Sequence, residues 1–324
     1  MGAVSDAVIF GDWRRLRAWL LAIAVAIAGS QVLMSMGLID LGQSIYLSDR
    51  LLWAAALLGG LLFGVGMVFA GGCGSRNLVR VGSGDLRALF IVLVLGISAN
   101  MTLYGLTALP RVALTNATAM DLQEHGLASQ ALPDLIVPAW GGVTAVWGWL
   151  FGLGLALALT AFCLASATFR RSPRDMIAGL VVGLTVVAGW WVTGVLAVDE
   201  FEPQPLTSLT FVAPVGDSLI YLMTFTGDRI SFGVAAVAGV ILGAYVMAML
   251  RGEFRLQGFA DSADLLRSLA GAFLMGFGGV TALGCTIGQG VTGLSTLSLG
   301  SMIAFASLIA GGVLGVHLLD RLSE

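Results

Sequence analysis

The sequence contains no lysine, so all sixteen cationic residues are arginine and a lysine Schiff base is excluded. It has only two histidines, His125 and His317, which are too few and too scattered for a histidine-rich metal site. Its three cysteines are an odd number in a 324-residue chain, which argues against a disulfide framework. We therefore expect no bound metal and no cofactor.

Charge is also scarce. Only 11% of the residues are charged, against about 25% in ordinary soluble domains, while 58% are hydrophobic and the mean hydropathy is +0.95. A surface exposed to water cannot cover so much apolar surface, so the chain must face a lipid bilayer. We also expect no nucleic-acid partner. The charge-free runs are Ala18–Ile39, Leu51–Ser75, Ala88–Pro110, Leu135–Phe169, Met176–Val198, Ile230–Leu250 and Ser268–Leu319.

About 20 apolar residues span a bilayer, and the last run is long enough for two spans and a short broken piece. We therefore predict an all-α polytopic membrane protein with about eight transmembrane helices. Two shorter apolar segments, Phe211–Phe225 and Cys285–Leu299, are candidates for re-entrant helices.

Glycines surround one cysteine in each of two segments, Gly71–Arg76 and Gly284–Gly290. Their cysteines, Cys73 and Cys285, lie 212 positions apart. Glycine weakens a helix by about 1 kcal/mol relative to alanine and lets a backbone or a ligand approach closely. We predict two helices broken at depth, with both thiols facing a shared site. The alternative is a chance match, since glycine is common in membrane helices.

The loop charges predict an orientation. Arginine-rich segments near residues 14, 80, 171 and 251 alternate with acidic loops near residues 124 and 200. Because cytoplasmic loops are enriched in arginine, both termini are predicted to be cytoplasmic. Cys73 then lies at the cytoplasmic end of its span and Cys285 at the outer end of its own. This predicts an inverted repeat, as in many secondary transporters, with a first repeat of about residues 1–110 and a second of about 139–320.

Three cysteine motifs carry a resemblance to a known family. They are Gly72-Cys73-Gly74-Ser75-Arg76, Gly284-Cys285 with Gly288 and Gly290, and Phe162-Cys163 followed by Ser166-Ala167 and Arg170. Together they resemble the YeeE/YedE family of sulfur-compound membrane transporters. The resemblance implies uptake of a small sulfur anion, most readily thiosulfate, across the cell inner membrane. It also implies that cysteines pass the anion along by S–H···S hydrogen bonds, and that a cytoplasmic sulfur-carrier or sulfurtransferase protein is a partner.

The residues themselves agree with that chemistry. Full charges along the path would hold a divalent anion too tightly to release it, whereas a buried neutral thiol donates weakly. Backbone N–H groups freed in glycine segments hold oxyanion oxygens. Asn77 is a further neutral candidate. The predicted substrate-binding residues are Cys73, Cys163, Cys285, Gly72, Gly74, Ser75, Arg76, Gly284, Thr286, Gly288 and Gln289.

Each candidate also has a plainer interpretation. A lone cysteine in an apolar span is usually a small buried hydrophobe, and Arg76 is equally consistent with an ordinary loop cation. At the level of the whole protein, the alternatives are transport of another sulfur or selenium species, a membrane thiol or persulfide enzyme, and a non-transporting subunit whose glycines only pack helices. We expect no enzyme, because there is no Cys-x-x-Cys pair and no histidine beside a cysteine.

Two further expectations concern charge at depth and the start of the chain. If the site uses neutral groups, Asp217 and Asp228 should be accessible to water and not close to the thiols. The N-terminal residues resemble the segment that follows a Phe-Cys motif, so Met1 is interpreted as a late start that omits a further cysteine and about one span. The alternative is a genuine short variant that uses Cys163 instead.

Overall fold

The computed structural model describes residues 12–127, 129–136, 144–197, 205–227, 229–259 and 262–323. The α-helices are α1 (Arg14–Ser35), α2 (Trp53–Phe69), α3 (Gly74–Gly82), α4 (Leu86–Leu103), α5 (Ala108–Thr118), α6 (Leu132–Ile136), α7 (Thr144–Ala165), α8 (Ala167–Arg170), α9 (Pro173–Trp191), α10 (Val212–Thr224), α11 (Phe232–Arg251), α12 (Ser262–Thr281) and α13 (Leu299–Ser323). Two π-helical segments follow α9 and α12, at Val192–Leu196 and Gly288–Gly293. Two short strands, β1 (Arg50–Leu51) and β2 (Met120–Asp121), pair antiparallel.

Eight helical segments of the described residues are long and apolar enough to cross a membrane, which confirms the predicted all-α polytopic fold. One predicted run differs from the structure by more than its end residues. The run Ala88–Pro110 does not form one span, because α4 ends at Leu103 and a separate helix, α5, begins at Ala108. Pro110 lies in the first turn of α5, where a missing backbone N–H removes no helical hydrogen bond.

Glycine allows the central helix α2 to lie very close to its two neighbours, α12 and α13. A Cβ built on Gly59 would lie 2.6 Å from the backbone nitrogen of Ala282, and one built on Gly64 would lie 2.4 Å from the carbonyl oxygen of Leu308. Both distances are too short for any side chain. Small residues at such contacts let helices approach and gain van der Waals packing, which drives helix association in lipid.

A second group of helices forms around α1, which packs against α7 and α9. Gly179 and Gly183 of α9 lie against the carbonyl oxygens of Ala18 and Ala22, at 2.5 and 2.7 Å from the Cβ positions of these glycines. At the other end of α9 the buried Trp190 donates its indole N–H to Ser295 Oγ at 3.1 Å. This bond ties the α1–α7–α9 group to the segment between α12 and α13.

The arginines lie mostly at one end of the bundle. If the eight spans alternate in direction, thirteen of the sixteen arginines lie at the end of the bundle where α2 ends and α4 begins. This end is called here the arginine-rich end. All sixteen are among the described residues, and only Arg50, Arg111 and Arg229 lie at the opposite end. The positive-inside rule predicts that the arginine-rich end faces the cytoplasm.

Three predictions from the sequence involve residues that lie outside the described ranges. The interpretation of Met1 as a late start falls on residues 1–11, and the expectation for Asp228 falls on a residue that is also outside the described ranges. Asp217 is described and lies half-buried in α10. The predicted repeat boundaries, about 1–110 and 139–320, stay a prediction.

Candidate functional site

A break in the helix separates α2 from α3 at residues 70–77, called here the first break. Gly71 has a φ of 70°, a left-handed conformation that glycine adopts freely. The N–H of Gly72 donates to the carbonyl of Met67 at 2.9 Å, which satisfies an end carbonyl of α2. Cys73 follows with extended backbone (φ −73°, ψ 168°) and is the N-cap of α3. The break therefore places the thiol between two helix ends.

The second break, at residues 282–289, follows α12 and leads into the π-helical segment Gly288–Gly293. Leu283 takes the left-handed conformation here, with a φ of 59°, although this costs a non-glycine residue about 1–2 kcal/mol. The N–H of Gly284 donates to the carbonyl of Gly279 at 2.7 Å. Cys285 comes next, so the second thiol is also placed just after a terminated helix.

The two breaks share the same backbone hydrogen bonds at a constant offset of 212 residues. The bond from Ala70 N–H to the Gly66 carbonyl recurs from Ala282 to Gly278. The bond from Asn77 to the Cys73 carbonyl recurs from Gln289 to Cys285, at 3.0 and 2.7 Å. The matching order of these bonds agrees with the predicted repeat, which stays a prediction.

The breaks enter the protein from opposite ends. Gly59, near the start of α2, packs against Ala282 at the end of α12, whereas Gly66, near the end of α2, packs against Gly271 in the middle of α12. These contacts make α2 and α12 antiparallel. The first break therefore enters from the arginine-rich end and the second from the opposite end.

The two thiols meet in the interior. Cys285 is fully buried in one apolar core, and the half-buried Cys73 packs against the same core, which also contains Leu78 and Leu95. The Cys73 Sγ lies 3.3 Å from Ser75 Oγ, and the Thr286 side chain is close to the same thiol. The Cys285 Sγ accepts the Gly288 N–H at 3.3 Å. The polar groups that touch the thiols are therefore neutral hydroxyls and backbone amides.

An amide side chain stands four residues after each cysteine. Asn77 Nδ2 donates to the carbonyls of Gly72 and Cys73, both at 3.1 Å, and Gln289 Nε2 donates to the carbonyl of Ala282. Both side chains are at least 97% buried. Their oxygens, Asn77 Oδ1 and Gln289 Oε1, have no hydrogen-bond partner among the described residues. Buried polar groups in folded proteins are usually hydrogen-bonded, so these two oxygens are candidates to contact a ligand or an ordered water.

The predicted glycines lie where the backbone is most crowded. A Cβ on Gly288 would lie 2.5 Å from Thr210 Oγ1, and one on Gly284 would lie 3.2 Å from the Gln289 side chain. Gly72 lies under the Arg76 stem, with 3.0 Å between its Cβ position and Arg76 Cδ. Gly74 is buried near Leu95, whereas Arg76 itself is exposed. Of the predicted set, every residue except Cys163 belongs to one of the two breaks.

Cys163 lies apart from the other two cysteines. It is fully buried at the end of α7, in a separate small cluster with Leu21 and Phe169. Its thiol donates to the Arg17 carbonyl at 3.3 Å, while the Arg17 guanidinium bonds back to the Phe162 and Cys163 carbonyls. The structure therefore does not bring the third thiol to the two breaks, and its role in transport stays a prediction.

A narrow cavity leads toward the second break from the end opposite the arginines. About 20 Å³ of it is open to the centre of a water molecule, roughly the room for one water. Arg50 and Gln130 line it together with Leu283, Ser301 and Gln289. Ser301 Oγ is buried and, like Gln289 Oε1, has no hydrogen-bond partner.

Sequence reasoning missed most of this lining. Arg50, Gln130 and Ser301 come from three segments far apart in the chain, so no local motif connects them. Tyr46 was also missed: its hydroxyl lies 3.6 Å from the Cβ position of Gly288. Only the tertiary fold brings these side chains to the second break.

A wider cavity of about 540 Å³ opens at the same end, between α1 and α7. Asp40 and Asp134 line it, and their carboxylates would repel an anion. Among the described residues, no group of three histidine, cysteine, aspartate or glutamate side chains comes together to hold a metal ion.

Comparisons with known proteins identify the family of this chain. A family model described as sulphur transport matches residues 1–314. The chain is 26% identical over 322 residues to the thiosulfate transporter TsuA of Escherichia coli (strain K12), a match that covers 96% of this chain and 86% of that protein. It is 27% identical over 313 residues to TsuA of Spirochaeta thermophila, covering 95% and 89% of the two chains. The family predicted from the cysteine motifs is thereby confirmed, and the chain belongs to the sulphur transport family of multi-pass membrane proteins.

Proposed function

We propose that this protein takes up thiosulfate through the point where the two breaks meet. The observation that carries the proposal is the placement of Cys73 and Cys285 in one core, from breaks that enter at opposite ends. The names of the two TsuA relatives support the same substrate. The path runs from the Arg50 cavity to Cys285, then past Thr286 to Cys73 and Ser75.

Neutral hydrogen-bond donors are well suited to a path for a divalent anion. A divalent anion loses much of its hydration in a narrow passage, so it needs donors, but a full positive charge there would trap it. Thiols and hydroxyls donate weakly, and backbone N–H groups beside Gly72, Gly74, Gly284 and Gly288 are approachable because no side chain covers these residues. The terminal sulfur of thiosulfate is a soft acceptor for an S–H donor.

Arg50 fits the role of first contact for the anion. It is exposed at the mouth of the narrow cavity and is one of only three arginines at that end. A positive charge at a low-dielectric mouth raises the local concentration of an anion and its rate of entry. The arginine-rich opposite end faces the cytoplasm by the positive-inside rule, which orients uptake inward across an inner membrane.

The test is transport by the purified protein. Proteoliposomes that contain it should accumulate ³⁵S-labelled thiosulfate, and the Cys73→Ala/Cys285→Ala double variant should not. Unlabelled sulfate, sulfite, selenite and selenosulfate as competitors would rank the alternatives among sulfur and selenium species. Absence of uptake by folded wild-type protein would overturn the proposal and favour a thiol enzyme or a non-transporting subunit.

A soluble partner belongs to the same proposal. A sulfur-carrier or sulfurtransferase protein in the cytoplasm would receive the anion and keep its free concentration low. The thirteen arginines at that end offer a positive surface to an acidic partner. Salt-sensitive co-purification with such a protein tests this part, and its failure leaves the transport proposal untouched.

A further inference from the structure

Two arginine side chains converge on Gly71, immediately before the cysteine of the first break. Arg87 Nη2 lies 3.7 Å and Arg80 Nη1 lies 3.9 Å from the Cβ position of this glycine. Arg80 belongs to α3 and Arg87 to α4, so two separate helices contribute. Gly71 is exposed, which leaves open space in front of the two guanidinium groups where a side chain would otherwise stand.

Each of these arginines is held by a buried carboxylate. Arg80 Nε donates to Asp85 Oδ2 at 2.8 Å, and its Nη2 contacts the same oxygen. Arg87 Nη1 lies 2.8 Å from Asp264 Oδ2, and its Nη2 donates to Ser268 Oγ at 2.9 Å. Asp85 and Asp264 are only 7% and 8% exposed.

The pairing fixes the direction of the remaining donors. Asp85 occupies Nε and Nη2 of Arg80, so Nη1 is the nitrogen that faces Gly71. Each Nη carries two N–H groups, so Arg87 Nη2 has a second one beyond its bond to Ser268. The paired carboxylates also offset much of the positive charge, which weakens the attraction for an anion without removing the donors.

The second break differs at the equivalent position. Leu283 stands there, 212 residues after Gly71, with the same left-handed backbone conformation and an apolar side chain. Arg50 lines the narrow cavity together with Leu283, and no ion pair of Arg50 is seen among the described residues. The second break thus faces the exposed Arg50, whereas Gly71 of the first break faces two arginines held by carboxylates, of which Asp264 also pairs with Arg267 at 2.8 Å.

We propose that Arg80 and Arg87, beside Gly71, form an anion-receiving subsite at the arginine-rich mouth, and that Asp85 and Asp264 keep it weak. The inference rests on the proposed transport of a sulfur oxyanion. An anion that leaves Cys73 meets directed N–H donors, which draw it past the first break. Because each guanidinium is already paired, the anion is released to water and not retained.

The test measures the KM for ³⁵S-thiosulfate at each face, with right-side-out and inverted membrane vesicles that contain the full chain. Arg80→Gln should raise the KM at the arginine-rich face about threefold or more, since it removes a charge-assisted donor, and leave the KM at the opposite face within twofold. Asp85→Asn should lower both the KM and the maximal rate at the arginine-rich face, because it frees Arg80 to hold the anion. Asn preserves the α4 cap, in which Asp85 Oδ1 accepts the Ala88 N–H at 3.1 Å.

Two more variants sharpen the test. Gly71→Leu copies the residue that the second break tolerates at this position and should block the subsite, which raises the KM at the arginine-rich face. Arg251→Gln removes an exposed arginine from the same end of the molecule and should change neither KM. Gel filtration of each variant in detergent establishes that it is folded.

Unchanged KM values in both Arg80→Gln and Gly71→Leu would overturn the inference, as would an equal rise in Arg251→Gln, which would show a general charge effect. Absence of transport by wild-type vesicles would instead contradict the proposed function, so the two failures are distinguishable.

Discussion

Replacing Cys285 by alanine separates the contribution of this thiol to folding from its contribution to transport. The substitution removes one buried heavy atom, comparable to a methylene group worth about 0.8 kcal/mol. The Gly288 N–H loses its 3.3 Å sulfur acceptor, and an unpaired buried donor costs about 1–3 kcal/mol. We therefore expect the free energy of unfolding to fall by about 2–4 kcal/mol, which lowers Tm by several degrees.

The effect on transport should be much larger. The thiol is fully buried where the two breaks meet, so an anion that passes has few alternative donors. A hydrogen bond to a charged group contributes about 1.5–3 kcal/mol, and each 1.36 kcal/mol changes a rate tenfold. Cys285→Ala should thus lower uptake by about 10- to 100-fold.

The assay is initial ³⁵S-thiosulfate uptake into proteoliposomes, with Tm measured on the same preparation. Val186→Ala is the matched control, because Val186 is fully buried in α9 and belongs to a different apolar cluster. It loses two carbon atoms, a larger packing change of about 1.6 kcal/mol, and should keep near-normal uptake. Near-normal uptake by folded Cys285→Ala, or equal losses in both variants, would refute the reasoning.

Three further predictions follow from the packing and the hydrogen bonds. Gly64→Ala should lower Tm and yield, because the added Cβ would lie 2.4 Å from backbone atoms of α13. Gly239→Ala is the control: nothing lies within 4 Å of its Cβ position, so this variant should leave Tm unchanged or raise it slightly. Equal Tm values in the two variants would contradict the close packing. Asn77→Asp keeps the side-chain volume but removes two N–H donors and adds a negative charge near the path of a divalent anion. Uptake by this variant should therefore fall at least about tenfold. Full uptake would show that Asn77 lies away from the path. Cys163→Ala should lower uptake less than twofold, because this thiol bonds to the Arg17 carbonyl away from both breaks; a loss as large as that of Cys285→Ala would restore the three-cysteine prediction.

The fold class could be predicted because lipid imposes a simple rule on the sequence. Apolar runs of about 20 residues and arginine-rich ends report spans and orientation directly, and eight spans were found. Boundaries were harder to predict, as the end of α4 at Leu103 shows. An apolar run does not record where a helix stops, since residues on both sides of Leu103 are equally compatible with lipid.

The two breaks could also be predicted, because glycine around a single cysteine is a local signal. Cys73 and Cys285 with their glycines were identified in this way. The position of Cys163 could not be predicted, since its Phe-Cys motif records a resemblance and not a contact. The lining of the narrow cavity could not be predicted either, because Arg50 and Gln130 lie far apart in the chain and no local motif connects them.

The sequence by itself determined that this chain is an integral membrane protein and that two of its helices break at glycine-cysteine segments. It also determined the family to which the chain belongs. These properties depend on composition and on neighbours within a few positions. Only the tertiary structure decided that Cys73 and Cys285 share one core while Cys163 does not, and that Arg80 and Arg87 converge on Gly71. Those placements bring together residues between 9 and 212 positions apart, and they depend on how closely glycine lets whole helices approach.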